Sequence, residues 1–383
     1  MSSKYFDNAA TTKVKGEVLN KMLPFFSNQY GNPSSMYTLG RSARRALEEA
    51  RKKVADLINA NPSEIILLGG GSEADNTALK GIAHKYKEKG NHIITTKIEH
   101  PAILNTCKSL EKEGFEITYL DVDNQGFINI EELKKAINNQ TILISVMYAN
   151  NEIGTIEPIE EISKIAKERS IIFHTDAVQA CGNIPIDVKK LSVDLLSLSG
   201  HKLYGPKGTG ALYIKEGIEI ESLINGGHQE KGKRAGTENV AGFVGLGEAC
   251  KLAKESINTH YKYLKKLRDY YISQIEQNIE NTQLNGSREE RLPGNANFSF
   301  KGVDGGAILL KLDELGISAS SGSACSTGNP NPSHVLTAIG LNEEDAKSAL
   351  RITFGEDNDI SDVDYLVRCI GKIVYELRKD IDK

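Results

Sequence analysis

Lys202 stands in a short polar turn, Ser199-Gly200-His201-Lys202-Leu203-Tyr204-Gly205-Pro206-Lys207-Gly208, directly after the apolar run Val193 to Leu198. Upstream, Phe173-His174-Thr175-Asp176 ends another apolar run on a carboxylate. A lysine and an aspartate delivered by two strand ends suit pyridoxal 5'-phosphate. That cofactor binds a lysine through its aldehyde and needs a carboxylate to keep its pyridine nitrogen protonated. The protonated ring then serves as an electron sink. Taken singly, a lysine in a Gly/Pro turn is a solvated side chain and an aspartate after a strand is a helix cap. The pair gains its meaning from the groups around it.

Five further groups fit the same chemistry. Gly69-Gly70-Gly71-Ser72 follows the apolar run 65–68 and opens a helical pattern, so free N–H groups at a helix start can face a phosphate. It is neither a Rossmann nor a Walker loop, and a plain strand-to-helix turn would read the same way. His100, in Glu99-His100-Pro101, can stack on a flat ring and shuttle protons. Asn150, in Ala149-Asn150-Asn151-Glu152, can reach a ring hydroxyl. Arg351, on the strand pattern 349–354, suits a bidentate grip on a substrate carboxylate; its bland counterpart is a surface arginine on an edge strand. Cys325 lies among small residues, Ser320-Ser321-Gly322-Ser323-Ala324-Cys325-Ser326, with no large apolar neighbour to bury it. An exposed, reactive thiol in a loop suited to movement is expected there.

The elements that must position these groups follow from periodicity. Apolar runs at 64–68, 92–96, 115–122, 141–148, 171–174, 195–198 and 210–214 read as strands. Amphipathic helical patterns at 42–58, 73–89, 101–113 and 159–169 lie between several of them. The alternation predicts an α/β fold with a mostly parallel sheet and helices on both faces, where ligands bind at the carboxyl ends of the strands. Beyond about 255 the pattern changes. Helices at 260–279, 304–315 and 361–378 and strands at 295–300 and 351–354 suggest a smaller α+β domain. The expected division is 15–257 for the large domain, with 1–14 and 258–383 forming the small domain that carries the cysteine loop at 320–333.

Composition narrows the classes. A chain of 383 residues with 39% hydrophobic content can bury two cores. A net charge of -4 without a basic block gives no electrostatic footprint for nucleic acid. The N-terminal stretch lacks an apolar signal core, and the run 141–149 is too short to span a bilayer, so a soluble, cytoplasmic protein is expected. Cysteines at 107, 181, 250, 325 and 369 form no CxxC pair and no zinc ligand set, and no metal is expected.

The ordered motifs Tyr5 to Thr12, Tyr30 to Ser35, Glu99 to Pro101, Ala149 to Gly154, Asp176 to Gln179, Ser199 to Gly208, Arg234 to Asn239, Ser321 to Ser326 and Pro332 to Leu336 run over nearly the whole chain. Together they resemble the NifS/IscS cysteine desulfurases, in the class V aminotransferase group of fold-type I pyridoxal-phosphate enzymes. The resemblance implies a covalent cofactor link at Lys202, Asp176 on the pyridine nitrogen, Gln179 and Asn150 on the phenolic oxygen, and His100 stacked on the ring. It implies that Gly71, Ser72, Ser199 and His201 hold the phosphate. Thr237 would reach the phosphate of the neighbouring subunit of a homodimer, and Asn32 and Arg351 would hold the substrate carboxylate. It further implies conversion of L-cysteine to L-alanine with a persulfide on Cys325, passed to an iron–sulfur scaffold or another sulfur acceptor. A selenocysteine lyase, another class V aminotransferase, or a non-catalytic sulfur-trafficking protein are the alternatives. One departure stands out. Relatives commonly read Thr-Ser-Gly-Gly-Thr-Glu where this chain reads Leu68-Gly69-Gly70-Gly71-Ser72-Glu73, so Gly69 loses a hydroxyl and adds backbone freedom.

Overall fold

Short runs of isoleucine, leucine and valine bounded by Gly, Asn and Pro form the strands. The computed structural model describes residues 4–321 and 332–381. Its strands are β1 Lys4–Tyr5, β2 Ile65–Leu68, β3 His92–Thr96, β4 Glu116–Leu120, β5 Thr141–Ser145, β6 Ile172–Asp176, β7 Leu195–Ser199, β8 Gly210–Ile214, β9 Thr282–Leu284, β10 Asn295–Phe300, β11 Ile317–Ser318 and β12 Ala349–Thr353. Seven of them form one sheet in the order β2-β8-β7-β6-β5-β3-β4. β8 is antiparallel to both of its neighbours, and the remaining pairs are parallel.

Helices cover both faces, which is why β2, β3, β7 and β8 are buried along their whole length. On one face, helices Gly71–Tyr86 and Pro101–Lys112 place Ala78, Ile82, Ile103 and Cys107 against Ile66, Ile93, Leu143 and Leu212. On the other, Leu47, Val54, Ile162, Phe243 and Leu246 close over Phe173, Leu196 and Leu198. A second core gathers around the antiparallel sheet β12-β10-β9. There Phe6, Tyr271, Phe298, Ile308, Phe354 and Val363 pack together, with Phe6 and Phe354 edge to face at 5.8 Å between ring centroids.

The largest departure from the sequence reading is one helix. The pattern predicts a helix over 260–279, but the helix runs from Val240 to Asn278, 39 residues. Gly242, Gly245 and Gly247 read as breakers. In the fold they are a close-packing face: a Cβ at Gly245 would lie 2.6 Å from Met22 Sδ, and one at Gly247 would lie 2.6 Å from Ala50 Cα. The bare backbone lets this helix lie directly on helix Thr38–Leu57. Asn239 starts it by accepting the Gly242 N–H at 3.0 Å. Elsewhere the expected elements shift by a few residues at their ends. β6 reaches Asp176 and β7 reaches Ser199, so both residues terminate strands.

Candidate active site

The ends of β6 and β7 are adjacent, with Asp176 paired in register to Ser197. Past Ser199 the chain makes a 3-10 turn, Gly200–Lys202. A side chain at Gly200 would meet Thr209 Oγ1 at 2.5 Å, so the turn needs glycine. Lys202 is half-buried and donates through Nζ to the carbonyls of Ala9 and Ala10, the latter at 2.7 Å. Asp176 is buried, and its Oδ1 accepts the Val178 N–H at 2.9 Å. Burial pushes its carboxyl above the usual range, opposed by the nearby His100 and Lys202. Both residues line one cavity of about 550 Å³, together with Gly71, Ser72, His100, Gln179, Ser199, His201 and Arg351.

At one end of this cavity, β2 runs through Gly69 and Gly70 into helix Gly71–Tyr86. Gly70 has φ of 150°, and a Cβ at Gly71 would lie 2.8 Å from Val178 Cγ2. The helix start therefore presents bare backbone N–H groups and its positive dipole end, a fit for a phosphate. Glu73 in the first turn accepts the Gly69 N–H at 2.7 Å.

His100 caps helix Pro101–Lys112, its Nδ1 accepting the Ala102 N–H at 3.1 Å. That bond assigns the proton of the neutral ring to Nε2. Burial, with a smaller contribution from Lys202, holds His100 below the ordinary imidazole value against the pull of Asp176. His201 lies 3.2 Å from Thr11 Oγ1, and burial pushes it down to about 4. Both imidazoles are neutral near pH 7. Gln179 donates to the Ala9 carbonyl at 3.1 Å. Arg351 is buried although its strand is an edge, because Asp7 and Ser320 bridge across β12. Its Nη2 pairs with Asp7 Oδ1 at 2.7 Å and its Nη1 donates to the Asn151 carbonyl at 3.0 Å, while Nε has no partner among the described residues.

Three expected site residues do not meet the others here. The Asn150 side chain is committed elsewhere: Nδ2 donates to Ile98 O at 2.9 Å, and Oδ1 accepts the N–H groups of Glu152 and Ile153. It pins the turn after β5, and the asparagine that lines the cavity is its neighbour, Asn151. Two asparagines in a row gave no basis for choosing between them from sequence. Asn32 is exposed, accepts the Ser34 N–H at 2.9 Å and does not line the cavity that Arg351 lines. Thr237 is exposed and does not line its own chain's cavity. Cys325 lies outside the described residues. Sequence reasoning also missed Asp75. It is 1% exposed, lines the cavity, and leaves Oδ1 without a hydrogen-bond partner. Burial, and then the charge of Asp176, push its carboxyl well up. Its spacing of three from Ser72, which puts both on one helix face, was the available signal.

A lysine, a buried carboxylate, a neutral imidazole and a glycine-built anion cradle thus surround one cavity. These groups fit pyridoxal phosphate in number and in chemistry.

The comparisons agree with this geometry. Residues 4–366 match the model of the family described as aminotransferase class-V. A cysteine desulfurase IscS of Clostridium botulinum is 54% identical over 377 residues, covering 98% of this chain and 95% of the relative. Among solved structures, a NifS-like protein superimposes with a TM-score of 0.92 at 38% identity, covering 98% of this chain and 100% of that one. SspA in complex with cysteine gives a TM-score of 0.80 at 40% identity, over 92% and 99% of the two chains. The chain belongs to the class V aminotransferase family, within the group that holds the IscS- and NifS-type cysteine desulfurases.

Proposed function

We propose that this chain is a pyridoxal-phosphate-dependent L-cysteine desulfurase that releases L-alanine and retains the sulfur as a persulfide on Cys325. The observation that carries the reading is the convergence of Lys202, Asp176, His100 and Arg351 on one cavity beside the glycine cradle. It is supported by relatives named for this activity and by a structural neighbour holding cysteine.

When bound, the cofactor supplies an electron sink for charge at the substrate α carbon. Lys202 would hold it through its aldehyde carbon and would be the base that moves the α proton. Asp176 would hold the pyridine nitrogen, Gln179 the phenolic oxygen, and His100 the ring. Gly71, Ser72, Ser199 and His201, which line the same cavity, would hold the phosphate. Arg351 holds the substrate carboxylate. The Cys325 thiolate attacks the substrate sulfur. A new S–S bond forms as the C–S bond breaks, and the C–S electron pair stays with the carbon fragment, which is protonated and leaves as alanine. Among the other cysteines, Cys107 and Cys250 are buried with thiols pushed up to about 12, and burial raises Cys181 strongly as well. None of these three is poised as a thiolate.

The same reading makes the protein a cytoplasmic homodimer that hands its persulfide to an iron–sulfur scaffold or sulfur carrier. Among the described residues, Leu19, Leu23, Phe26, Tyr30, Met36, Tyr37 and Leu39 are all exposed within one short stretch, an apolar surface that a second copy would cover. No helix among the described residues is long and apolar enough to cross a membrane. The proposed division into 15–257 and 1–14 with 258–383 is supported by helix Val240–Asn278. Along it, packing passes from the large-sheet core at Tyr261 to the small-sheet core at Leu264.

Incubation with L-cysteine and a thiol reductant should release sulfide and alanine in equal amounts. A keto acid in place of alanine would make the protein a transaminase. Cys325→Ser should keep the bound-cofactor absorbance and release almost no sulfide. Full activity in that variant would remove Cys325 from the chemistry.

A further inference from the structure

Asp75 serves none of the steps above, yet it lines the cavity and is 1% exposed. It stands on the helix that follows the glycine cradle, and its Oδ1 has no hydrogen-bond partner. No lysine or arginine pairs with it among the described residues. The basic group beside it, His174 Nε2, lies 3.8 Å from Oδ1, and burial pushes that imidazole down to about 3, so it is neutral. The other titratable groups that face Asp75 are acids, Asp176 at the end of β6 and Glu99 ahead of helix Pro101–Lys112. His100, which is neutral, and Lys202, which donates to the Ala9 and Ala10 carbonyls, share the cavity. A buried carboxylate with no counter-charge is costly, and more so beside a second one, so such a place favours the neutral acid. Burial and then the charge of Asp176 act in that direction, against the Ser197 hydroxyl.

A neutral acid must place its proton, and Ser197 is the hydroxyl bonded to this carboxyl. A chain of buried groups continues from there. Ser197 Oγ lies 3.0 Å from His174 Nε2, and His174 Nδ1 lies 2.9 Å from Ser145 Oγ. The three stand on β7, β6 and β5 and are fully buried. His174 and Ser197 each precede a cavity residue by two, Asp176 and Ser199, and so share its sheet face. Each link carries one proton, which gives the chain a direction. With the proton on Asp75, the carboxyl donates to Ser197, Ser197 donates to His174 Nε2, and His174 Nδ1 donates to Ser145. With Asp75 ionised, every link reverses. We propose that Asp75 is a positioning residue that holds a proton beside the cofactor, anchored by the Ser197–His174–Ser145 chain, and so leaves the negative charge of the Asp75 and Asp176 pair on Asp176. The inference rests on the pyridoxal-phosphate reading above.

The test uses the protein loaded with pyridoxal 5'-phosphate near pH 7. An infrared difference spectrum, wild type minus Asp75→Asn, should show the carbonyl stretch of one protonated carboxylic acid, since Glu99 and Glu157 cancel in the difference. Nitrogen-15 spectra of labelled histidine should place the His174 proton on Nδ1. Affinity for pyridoxal 5'-phosphate, read by absorbance, should stay within about threefold in Asp75→Asn, a neutral substitute that keeps hydrogen bonding. It should fall about tenfold or more in Asp75→Ala, which leaves Ser197 and His174 without the end of their chain beneath Asp176 and Ser199. A carboxylate band in place of the acid band, a His174 proton on Nε2, a tenfold loss of affinity in Asp75→Asn, or wild-type affinity in Asp75→Ala overturns the proposal. If neither variant folds, the wild type decides by its His174 tautomer and by carbon-13 labelling of aspartate, which must shift an acid band that labelling of glutamate leaves in place. A wild type that binds no pyridoxal 5'-phosphate would instead overturn the reading beneath it.

Discussion

The two sheets each deliver one buried charged group to the same cavity, and they prepare it differently. Asp176, at the end of β6, accepts one hydrogen bond among the described residues, from Val178, and lines the cavity. Arg351, on β12, arrives already neutralised by Asp7. A third buried acidic group, Glu157, accepts the Ile128 N–H and pairs with no cation among the described residues. Burial, against the Ile128 N–H bond and helped slightly by the charge of Asp123, raises it to about 8, so it keeps its proton near pH 7. The comparison separates a charge that awaits a ligand, a charge that must exchange a partner, and a charge that the fold discards. Only the first two suit binding, and the first is the costlier to remove.

The largest expected effect is therefore at Asp176. Asp176→Asn keeps the shape and loses the charge, and cysteine turnover should fall about 10²–10³-fold, as when a preorganised electrostatic partner is removed. Sulfide release measured at saturating cofactor tests this, and a loss under threefold would mean that the carboxylate does not hold a cationic ring. Next is Arg351→Lys. An ammonium cannot fork onto a carboxylate, so KM for cysteine should rise about tenfold or more with kcat changed less. An equal fall in kcat with unchanged KM would move Arg351 out of substrate binding.

Asp7→Asn probes the exchange of partners. Without its standing counter-charge the guanidinium should grip the substrate carboxylate better, lowering KM by roughly threefold. A raised KM would mean that Asp7 orients Arg351 more than it competes for it. The smallest effect on turnover is expected from Glu157→Gln, which should leave kcat/KM unchanged and act on stability. Between the ordinary carboxyl value of 4.5 and about 8, the folded state holds a proton that the unfolded state has lost. Wild-type stability attributable to this group is thus full below that window and declines as pH rises through it. The variant should match wild type near pH 5 and exceed it near pH 8 by roughly 2 to 4 kcal/mol. Denaturation midpoints at the two pH values decide this, and equal differences at both would place a charged Glu157 in the folded state.

His100 and Asn150 show how far the site was legible. His100 precedes a proline at a helix start, where a short polar side chain caps and its ring remains beside the strand ends, and the structure places it there. Asn150 and Asn151 follow the same strand with the same side chain. Which one faces the cavity depends on the turn 150–154, closed by hydrogen bonds across it that no local rule ranks. Asp75 was hidden for a similar reason, since a carboxylate on an amphipathic helix reads as solvated until its face is known to be covered.

The sequence alone determined the strand and helix alternation, because periods of two and 3.6 are local. It also determined which residue types end the strands, and hence the lysine, carboxylate, imidazole and glycine cradle. Tertiary structure decided the long helix 240–278. Its glycines break a helix in solution and permit one only when another backbone lies against them. It likewise decided the pairing of Arg351 with Asp7 and of Arg234 with Glu73. Each joins residues distant in the chain, and the energy of a charge depends on what shares its burial, which periodicity does not encode.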